Sequence, residues 1–162
     1  MIRKIILWIL TILCAALIFK LSAQEATVSS KTSSVVIKTV VKAIDIKDSL
    51  TEKEVEEITK KLTFSVRKSA HFLIYATLGF LIALLYREYG FFGKKLFLKA
   101  LITAFLYAAS DELHQNFVKG RSAEIRDVAI DSLGAMCGII FALSCIYYFY
   151  KIHKSNISRK EK

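Results

Sequence analysis

The chain has no proline, only three cysteines, and 14 acidic residues against 24 lysines and arginines in its 162 residues. The cysteines lack the spacing of a zinc site or a secreted disulfide framework, and each lies in an apolar run where a thiol acts as a small hydrophobe. The net charge of +10 raises nucleic acid or an anionic membrane as a partner. However, 54% of the residues are hydrophobic, which excludes a basic nucleic-acid arm and a disordered tail.

Most of the apolar residues fall into four blocks, at 5–21, 70–86, 96–113 and 128–150. A helix needs about 20 apolar residues, with a range of roughly 17 to 25, to cross the hydrocarbon core of a bilayer. The fourth block meets this length, and the other three are extended by flanking lysines and arginines that can reach the headgroups. A soluble bundle is the alternative, but too little polar sequence remains to cover four apolar helices. We therefore predict an all-α integral membrane bundle of about four transmembrane helices.

The distribution of positive charge predicts that both termini are cytosolic. In that orientation the inner segments carry eleven basic and two acidic residues. The outer loop before the fourth block has three basic residues, and the outer segment from 20 to 68 is nearly balanced, with ten basic and seven acidic residues. Lysine and arginine accumulate on the cytosolic side of membrane proteins. The basic excess is thus mainly an orientation signal, and nucleic acid is not a predicted partner.

This topology divides the chain into four parts. Residues 1–21 form an N-terminal transmembrane helix, 22–66 an extracytoplasmic segment, 67–150 a three-helix transmembrane core, and 151–162 a basic cytosolic tail. The first helix has an alternative interpretation as a signal peptide, because Ser22-Ala23-Gln24 offers a small-residue cleavage site. Lys20, between the apolar run and that site, favours an uncleaved helix.

The extracytoplasmic segment is predicted to contain a tether followed by an amphipathic helix. Residues 24–34 are rich in serine and threonine and have no apolar period, which is typical of a flexible tether. The residues from Ser49 to Glu52 form a capping-box pattern that predicts a helix start. Val55, Ile58 and Leu62 then mark one apolar face, so we expect this helix to lie on the outer leaflet.

Polar and charged side chains collect at one end of the three core helices. Such residues at membrane depth are costly and usually functional. The second helix begins, the third ends and the fourth begins on the outer side, so the topology brings these ends together. The candidate ligand-binding cluster consists of Arg67, Lys68, His71, Tyr75, Tyr107, Asp111, Glu112, Gln115, Arg121, Arg126, Asp127 and Asp131. Gly134 and Gly138 form a small-xxx-small pair that lets another helix approach closely.

The same residues form an ordered set of motifs. These are Arg67-Lys68-Ser69-Ala70-His71-Phe72 with Tyr75, Ser110-Asp111-Glu112-Leu113-His114-Gln115-Asn116-Phe117, Gly120-Arg121-Ser122, Arg126-Asp127, Asp131 and Gly134. Together they resemble the VanZ-like membrane proteins over roughly 64–140. That family is named for a glycopeptide-resistance accessory protein associated with low-level teicoplanin resistance. The resemblance implies a multi-pass protein of the bacterial cytoplasmic membrane, links some members to cell-envelope antibiotic tolerance, and supplies no established reaction.

The sequence departs from the resemblance in the second helix and in the outer loop. Many relatives have a glutamate before the tyrosine of the second helix, where this chain has Ile74. This difference removes a carboxylate on which a metal or acid–base role would depend. Many also have a proline where this chain has Lys119, which affects loop stiffness more than chemistry.

We favour recognition of an anionic lipid, or of a lipid-linked cell-envelope precursor, from the outer leaflet. Arg67, Lys68, Arg121 and Arg126 would donate to a phosphate or pyrophosphate. The acids Asp111, Glu112, Asp127 and Asp131 would orient these bases. Membrane lipids are therefore the predicted partners, and we predict no metal and no cofactor.

Two other functions remain open. His71 with Asp111 or Asp131 is suited to acid–base chemistry, or to holding a metal with Glu112 and His114. The chain has neither the two-histidine helical zinc motif nor a Gly-x-Ser-x-Gly elbow, which weakens this enzymatic interpretation. Alternatively, Asp111 or Asp131 could pair with Arg67, Lys68 or Arg121 and simply pin the helices. Enzymatic activity and oligomeric state stay undecided at this point.

Overall fold

The computed structural model describes residues 1–23, 34–35, 37–41, 51–118 and 124–160. Four long helices form most of this part: α1 (Ile2–Ser22), α2 (Glu52–Glu88), α3 (Gly93–Gln115) and α4 (Ile125–Lys160). The described residues contain no strand, which confirms the predicted all-α class. The predicted tether at 24–34 lies almost entirely outside the described residues, as does Arg121 in the loop before α4.

Three of these helices are long and apolar enough to cross a membrane: α1, α2, and α4 as far as Asn156. The helix α3 is not apolar over a long enough stretch to be counted with them, although its centre is apolar. Lys94, Lys95 and Lys99 lie near its start, and Asp111 and Glu112 lie near its end, so its uncharged stretch is short. Large apolar side chains of α1 such as Ile9 and Leu13 are exposed, as expected for a helix that faces lipid.

The amphipathic segment and the second transmembrane block form one helix, which differs from the prediction of a separate helix lying on the outer leaflet. No proline or glycine separates the two segments, and extending a helix is easier than starting a new one. The 37 residues of α2 span roughly 55 Å at about 1.5 Å per residue, well beyond the hydrocarbon thickness of about 30 Å. The N-terminal part of α2 is therefore a continuous helical extension of the apolar part.

The start of α2 also lies two residues later than the predicted capping box. Thr51 is the N-cap, its backbone N–H donates to Glu54 Oε2 at 2.8 Å, and its hydroxyl accepts from the Glu54 N–H. Thr51 and Glu54 have the same spacing as Ser49 and Glu52, so the sequence offers two overlapping boxes. The next turns bury Val55 and Thr59, whereas Leu62 is 42% exposed.

The helices α2 and α4 pack so closely that their backbones touch. A Cβ atom on Gly138 would lie 1.8 Å from the carbonyl oxygen of Ala76, and one on Gly134 would lie 2.4 Å from that of Phe72. This confirms that the small-xxx-small pair serves close helix approach. Because both helices begin at the same end of the bundle, they run parallel. This contact fixes the register of the polar side chains that precede it on each helix.

The helix α3 packs its small residues against the bundle. Its buried stripe consists of Leu96, Ala100, Ala104 and Ala108, all at most 1% exposed. Continuing the four-residue spacing, the stripe ends at Glu112, which is also buried. The face of α3 that forms the core thus carries its acidic end into the space between α2 and the start of α4.

Candidate functional site

A polar cleft lies at the end of the bundle where α3 ends and α4 begins, beside the part of α2 that follows its N-terminal extension. All three helices contribute to it, as the topology predicted. The cleft is lined by Arg67, Lys68, His71, Glu112, Gln115, Asp127, Ile130 and Asp131. The structure therefore brings together seven of the predicted site residues around one opening and adds Ile130 as an apolar wall.

An ion pair and a histidine–carboxylate contact connect α2 with α4 across the cleft. The Lys68 ammonium contacts the Asp127 carboxylate, and one turn deeper His71 Nδ1 lies 3.8 Å from Asp131 Oδ2. Asp131 is 3% exposed. In contrast, Arg67 lines the cleft without a carboxylate within 4.0 Å among the described residues. The guanidinium of Arg67 is thus a cation of the cleft that these acids do not neutralise.

Asp111 lies next to the cleft at the centre of a network of neutral donors. Its Oδ2 accepts from Ser22 Oγ at 2.7 Å, from the Tyr75 hydroxyl at 3.0 Å and from Gln115 Nε2 at 3.3 Å. A pairing of Asp111 with Arg67 or Lys68 was one expectation of the structural interpretation, and it is wrong for the described residues. Ser22 and Tyr75 are both 0% exposed, so hydroxyl groups occupy the position where a cation would have to sit.

Buried acceptors without a donor border the same space. Glu112 Oε1 accepts from the Glu124 backbone N–H at 2.7 Å, but Glu112 Oε2 has no hydrogen-bond partner among the described residues. Asp111 Oδ1 is also buried without a hydrogen-bond partner among the described residues. Buried oxygen atoms are usually paired, and each exception needs an explanation such as a bound group or water. The cleft therefore combines the unneutralised Arg67 with the free acceptor of Glu112, and the free acceptor of Asp111 lies beside it.

Two of the predicted residues lie away from the cleft, and a third is not described. The Tyr107 hydroxyl donates to the Ala15 carbonyl oxygen at 2.7 Å, which directs this side chain toward α1 instead of the cleft. Arg126 is exposed and is not among the lining residues. It immediately precedes Asp127, and neighbouring residues on a helix do not share a face. Arg121 lies outside the described residues.

The helix α1 contributes a part of the site that the motif spacing did not identify. Besides the Ser22 bond to Asp111, the ring of Phe19 stacks on that of His114 with centroids 4.1 Å apart. In the sequence, only the predicted topology indicated that α1 reaches the site. Because α1 ends on the same side as α3, a serine in its last turn lies at the depth of Asp111.

The described residues contain no group of three histidine, cysteine, aspartate or glutamate side chains arranged to hold a metal ion. His114, a ligand in the metal version of the enzymatic hypothesis, instead stacks on Phe19. Ile74 packs against the apolar core.

Comparison with known families agrees with this architecture. The model of the family described as VanZ/LLP1 matches residues 7–148. The chain belongs to the VanZ/LLP1 family. The VanZ/LLP1 match begins inside α1 and extends through most of α4, so it covers the cleft and the α1 contacts as well as the motifs at 64–140. No curated protein and no solved structure gave a significant match. With three helices able to span a bilayer, this VanZ/LLP1 chain is a membrane protein.

The ion pair between Lys68 and Asp127 provides a test of how α2 and α4 are held in register. Their side chains are 18% and 23% exposed, so an unpaired charge there is partly desolvated. We expect Lys68→Asp alone, or Asp127→Lys alone, to lower the free energy of unfolding by about 1–3 kcal/mol. The double exchange should recover most of this loss, as measured by thermal unfolding of the protein in detergent.

The exposed pair of Glu57 and Lys61 on α2 is the matched control for this exchange. These side chains are 67% and 76% exposed, and such surface pairs contribute about 0.3–0.5 kcal/mol. Reversing either charge should therefore change the unfolding midpoint very little. A double exchange at 68 and 127 that is no more stable than the single variants would contradict the role of this pair.

Proposed function

We propose that the residues at the mouth of the cleft bind the headgroup of an anionic lipid or of a lipid-linked cell-envelope precursor at the outer leaflet. The cleft itself encloses only about 10 Å³, room for about one water molecule. The observation that carries this proposal is the guanidinium of Arg67, which lines the cleft and has no carboxylate within 4.0 Å among the described residues. Arginine is suited to bidentate contact with phosphate. Lys68 lines the cleft beside it, with its ammonium paired with Asp127.

The buried acceptors in the cleft and beside it favour a headgroup that also carries donors. Glu112 Oε2 and Asp111 Oδ1 are buried and lack a donor among the described residues. A bare phosphate would be repelled by these carboxylates, together with Asp127 and Asp131. A phosphate that bears a sugar, glycerol or amine supplies hydroxyl or N–H groups that they can accept. The chemistry of the cleft therefore fits a substituted phosphate better than an unsubstituted one.

This proposal includes a topology. It places four helices in the bacterial cytoplasmic membrane with both termini in the cytosol, so that α3 crosses the bilayer with its apolar centre. It also keeps α1 as a permanent part of the protein, since Ser22 donates to Asp111 and the VanZ/LLP1 match begins within α1. Handling of such a precursor would connect this chain with glycopeptide tolerance, including tolerance of teicoplanin.

Substitution of Arg67 tests the proposal directly. We expect Arg67→Gln to weaken binding of undecaprenyl diphosphate carrying a sugar roughly 10- to 100-fold, because a hydrogen bond to a charged group contributes about 1.5–3 kcal/mol. Binding is measured by native mass spectrometry of the purified protein in detergent, with phosphatidylglycerol and phosphatidylcholine as competing probes. Thermal unfolding of the same samples shows whether the variant remains folded.

Arg126→Gln is the matched control, because it removes the same charge at the same end of the bundle from an exposed side chain outside the cleft. This variant should bind like the unmodified protein. Equal binding of all probes by the unmodified protein and by Arg67→Gln would overturn the proposal.

The pair of His71 and Asp131 supports a second candidate, a membrane-embedded enzyme. Asp131 is buried and lies 3.8 Å from His71 Nδ1, an arrangement in which a carboxylate can orient an imidazole for proton transfer. Turnover of the bound precursor by the unmodified protein, lost in His71→Gln with binding retained, would favour this candidate.

A further inference from the structure

A second cavity lies on the other side of the bundle, between α1, α2 and α3. It measures about 480 Å³, is open on one side, and falls within the range of roughly 300–1,000 Å³ typical of ligand clefts. Trp8 of α1, Leu78 and Ile82 of α2, and Phe91 before α3 are among its lining residues. We call this space the α1 groove. It is distinct from the polar cleft, with which it shares no lining residue.

The groove exists because α1 and α3 are joined at one end only. Among the described residues, the hydrogen bonds and ring contacts between these helices involve Ala15, Phe19 and Ser22, in the second half of α1. Near its start, α1 instead contacts the turn after α2, where Trp8 Nε1 donates to the Tyr89 hydroxyl at 3.0 Å. The gap between these two attachments is the groove.

The wall of the groove presents apolar surface, because each of its hydroxyl groups has a partner within the protein. Those of Thr11 and Tyr107 donate to backbone carbonyl oxygens of α1 at 2.7 Å. Those of Tyr86 and Thr103 bond to each other at 2.8 Å, and that of Tyr89 accepts from Trp8. A cavity whose polar lining groups are all hydrogen-bonded within the protein binds hydrocarbon in preference to water.

Two lysines mark the end of the groove near the start of α1. Lys4 Nζ lies 4.6 Å from the centre of the Tyr89 ring, and Lys99 Nζ lies 4.9 Å from that of the Phe91 ring. Both rings line the groove. Neither lysine has a carboxylate within 4.0 Å among the described residues, whereas nearby Arg3 pairs with Glu88 at 3.5 Å. The groove thus has an apolar interior and a positively charged mouth.

We propose that the α1 groove holds one acyl chain of an anionic membrane phospholipid, with its phosphate at Lys4 and Lys99. The length of the apolar wall receives the chain, and the two ammonium groups select a negative headgroup. The site lies at the end of the bundle opposite the polar cleft. Its ligand enters from the other leaflet, so it does not depend on the function proposed for the cleft.

The only tryptophan of the protein, Trp8, lines the groove and reports its occupant. Full-length protein is reconstituted in dioleoylphosphatidylcholine vesicles that contain increasing fractions of a phospholipid with a brominated acyl chain, which quenches tryptophan at contact. We expect brominated phosphatidylglycerol to quench Trp8 at a far lower mole fraction than brominated phosphatidylcholine. Equal quenching by the two lipids would overturn the proposal.

Charge and groove variants identify the site. One cation near a membrane surface strengthens attraction of an anionic lipid about fivefold, so Lys4→Gln with Lys99→Gln should weaken the phosphatidylglycerol preference roughly 20-fold. Lys94→Gln with Lys95→Gln removes the same charge from exposed residues at the same end, outside the groove, and should leave the preference unchanged. A preference that survives the first pair, or is lost in the second, contradicts the assignment. Thr11→Leu, which narrows the groove, should raise the fraction of phosphatidylglycerol needed for half quenching.

Discussion

Replacing Gly138 with leucine should prevent the protein from folding into its four-helix arrangement. The Cβ of any side chain at this position would lie 1.8 Å from the Ala76 carbonyl oxygen and 2.7 Å from its carbon. Backbone atoms of a helix cannot move aside as the end of a flexible side chain can, so α2 and α4 would have to separate. Overpacking in a core costs about 1–3 kcal/mol, and a clash with backbone lies at or beyond the upper end.

The result is measured by size-exclusion chromatography and thermal unfolding in detergent. For Gly138→Ala we expect an unfolding midpoint lower by roughly 10 °C, and for Gly138→Leu no monodisperse folded peak. Cys137→Leu is the control, because Cys137 is the adjacent residue and is exposed. A midpoint for Gly138→Leu equal to that of Cys137→Leu would mean that α2 and α4 do not cross at this distance.

Loss of this crossing would also dismantle the polar cleft. Lys68 and His71 precede the contact on α2, and Asp127 and Asp131 precede it on α4, so the parallel register set by the glycines aligns both pairs. The Gly138→Leu variant should therefore lose ligand binding along with stability. Arg67→Gln, in contrast, should lose binding alone, which separates the architecture of the cleft from its chemistry.

Much of this architecture follows from the sequence, because membrane solvation constrains a chain strongly. The length of an apolar block predicts a membrane-spanning helix. Because successive helices cross in alternating directions, their order predicts which helix ends lie on the same side of the membrane. That reasoning predicts that Lys68, Glu112 and Asp131 lie close together, and all three line the cleft. The spacing of Gly134 and Gly138 likewise predicted a close helix contact, since only small residues allow it.

The partners of individual side chains were not predictable in the same way. Sequence spacing shows which residues share a face of one helix, but not the rotation of one helix against another. The sequence offered several cations as possible partners of Asp111. In the structure, Asp111 accepts from hydroxyl and amide donors instead. Tyr107 was assigned to the cluster by its spacing from Asp111, yet its hydroxyl bonds to α1.

The N-terminal part of α2 shows a different limit of prediction from sequence. Amphipathic sequence predicts that a segment is helical, but the same pattern fits a helix lying on a membrane and the exposed extension of a spanning helix. Only the residues that join the amphipathic segment to the spanning helix distinguish these two structures. The residues between Leu62 and Ala70 contain no helix breaker, and α2 continues through them without interruption.

The Asp111→Ala variant should be the most destabilising substitution among the polar residues of the site. It removes the acceptor of Ser22 Oγ, the Tyr75 hydroxyl and Gln115 Nε2. Relief from burying a carboxylate acts in the opposite direction. However, Ser22 and Tyr75 are 0% exposed and cannot turn to water, and each orphaned buried donor costs about 1–3 kcal/mol. We therefore expect a net loss of about 3 kcal/mol or more.

A double-mutant cycle with Ser22→Ala shows whether the stability lost in Asp111→Ala comes from detaching the end of α1. If Asp111 holds the end of α1 through Ser22, then Ser22→Ala should destabilise the unmodified protein by about 1 kcal/mol and should cost little once Asp111 is already alanine. Ser110→Ala is the control, because this neighbouring exposed hydroxyl donates to the Tyr107 carbonyl oxygen within α3. Fully additive losses for Ser22 and Asp111 would show that α1 is held independently of the site. Strong coupling would make α1 a wall of the functional site, since the carboxylate that fixes it lies beside the cleft.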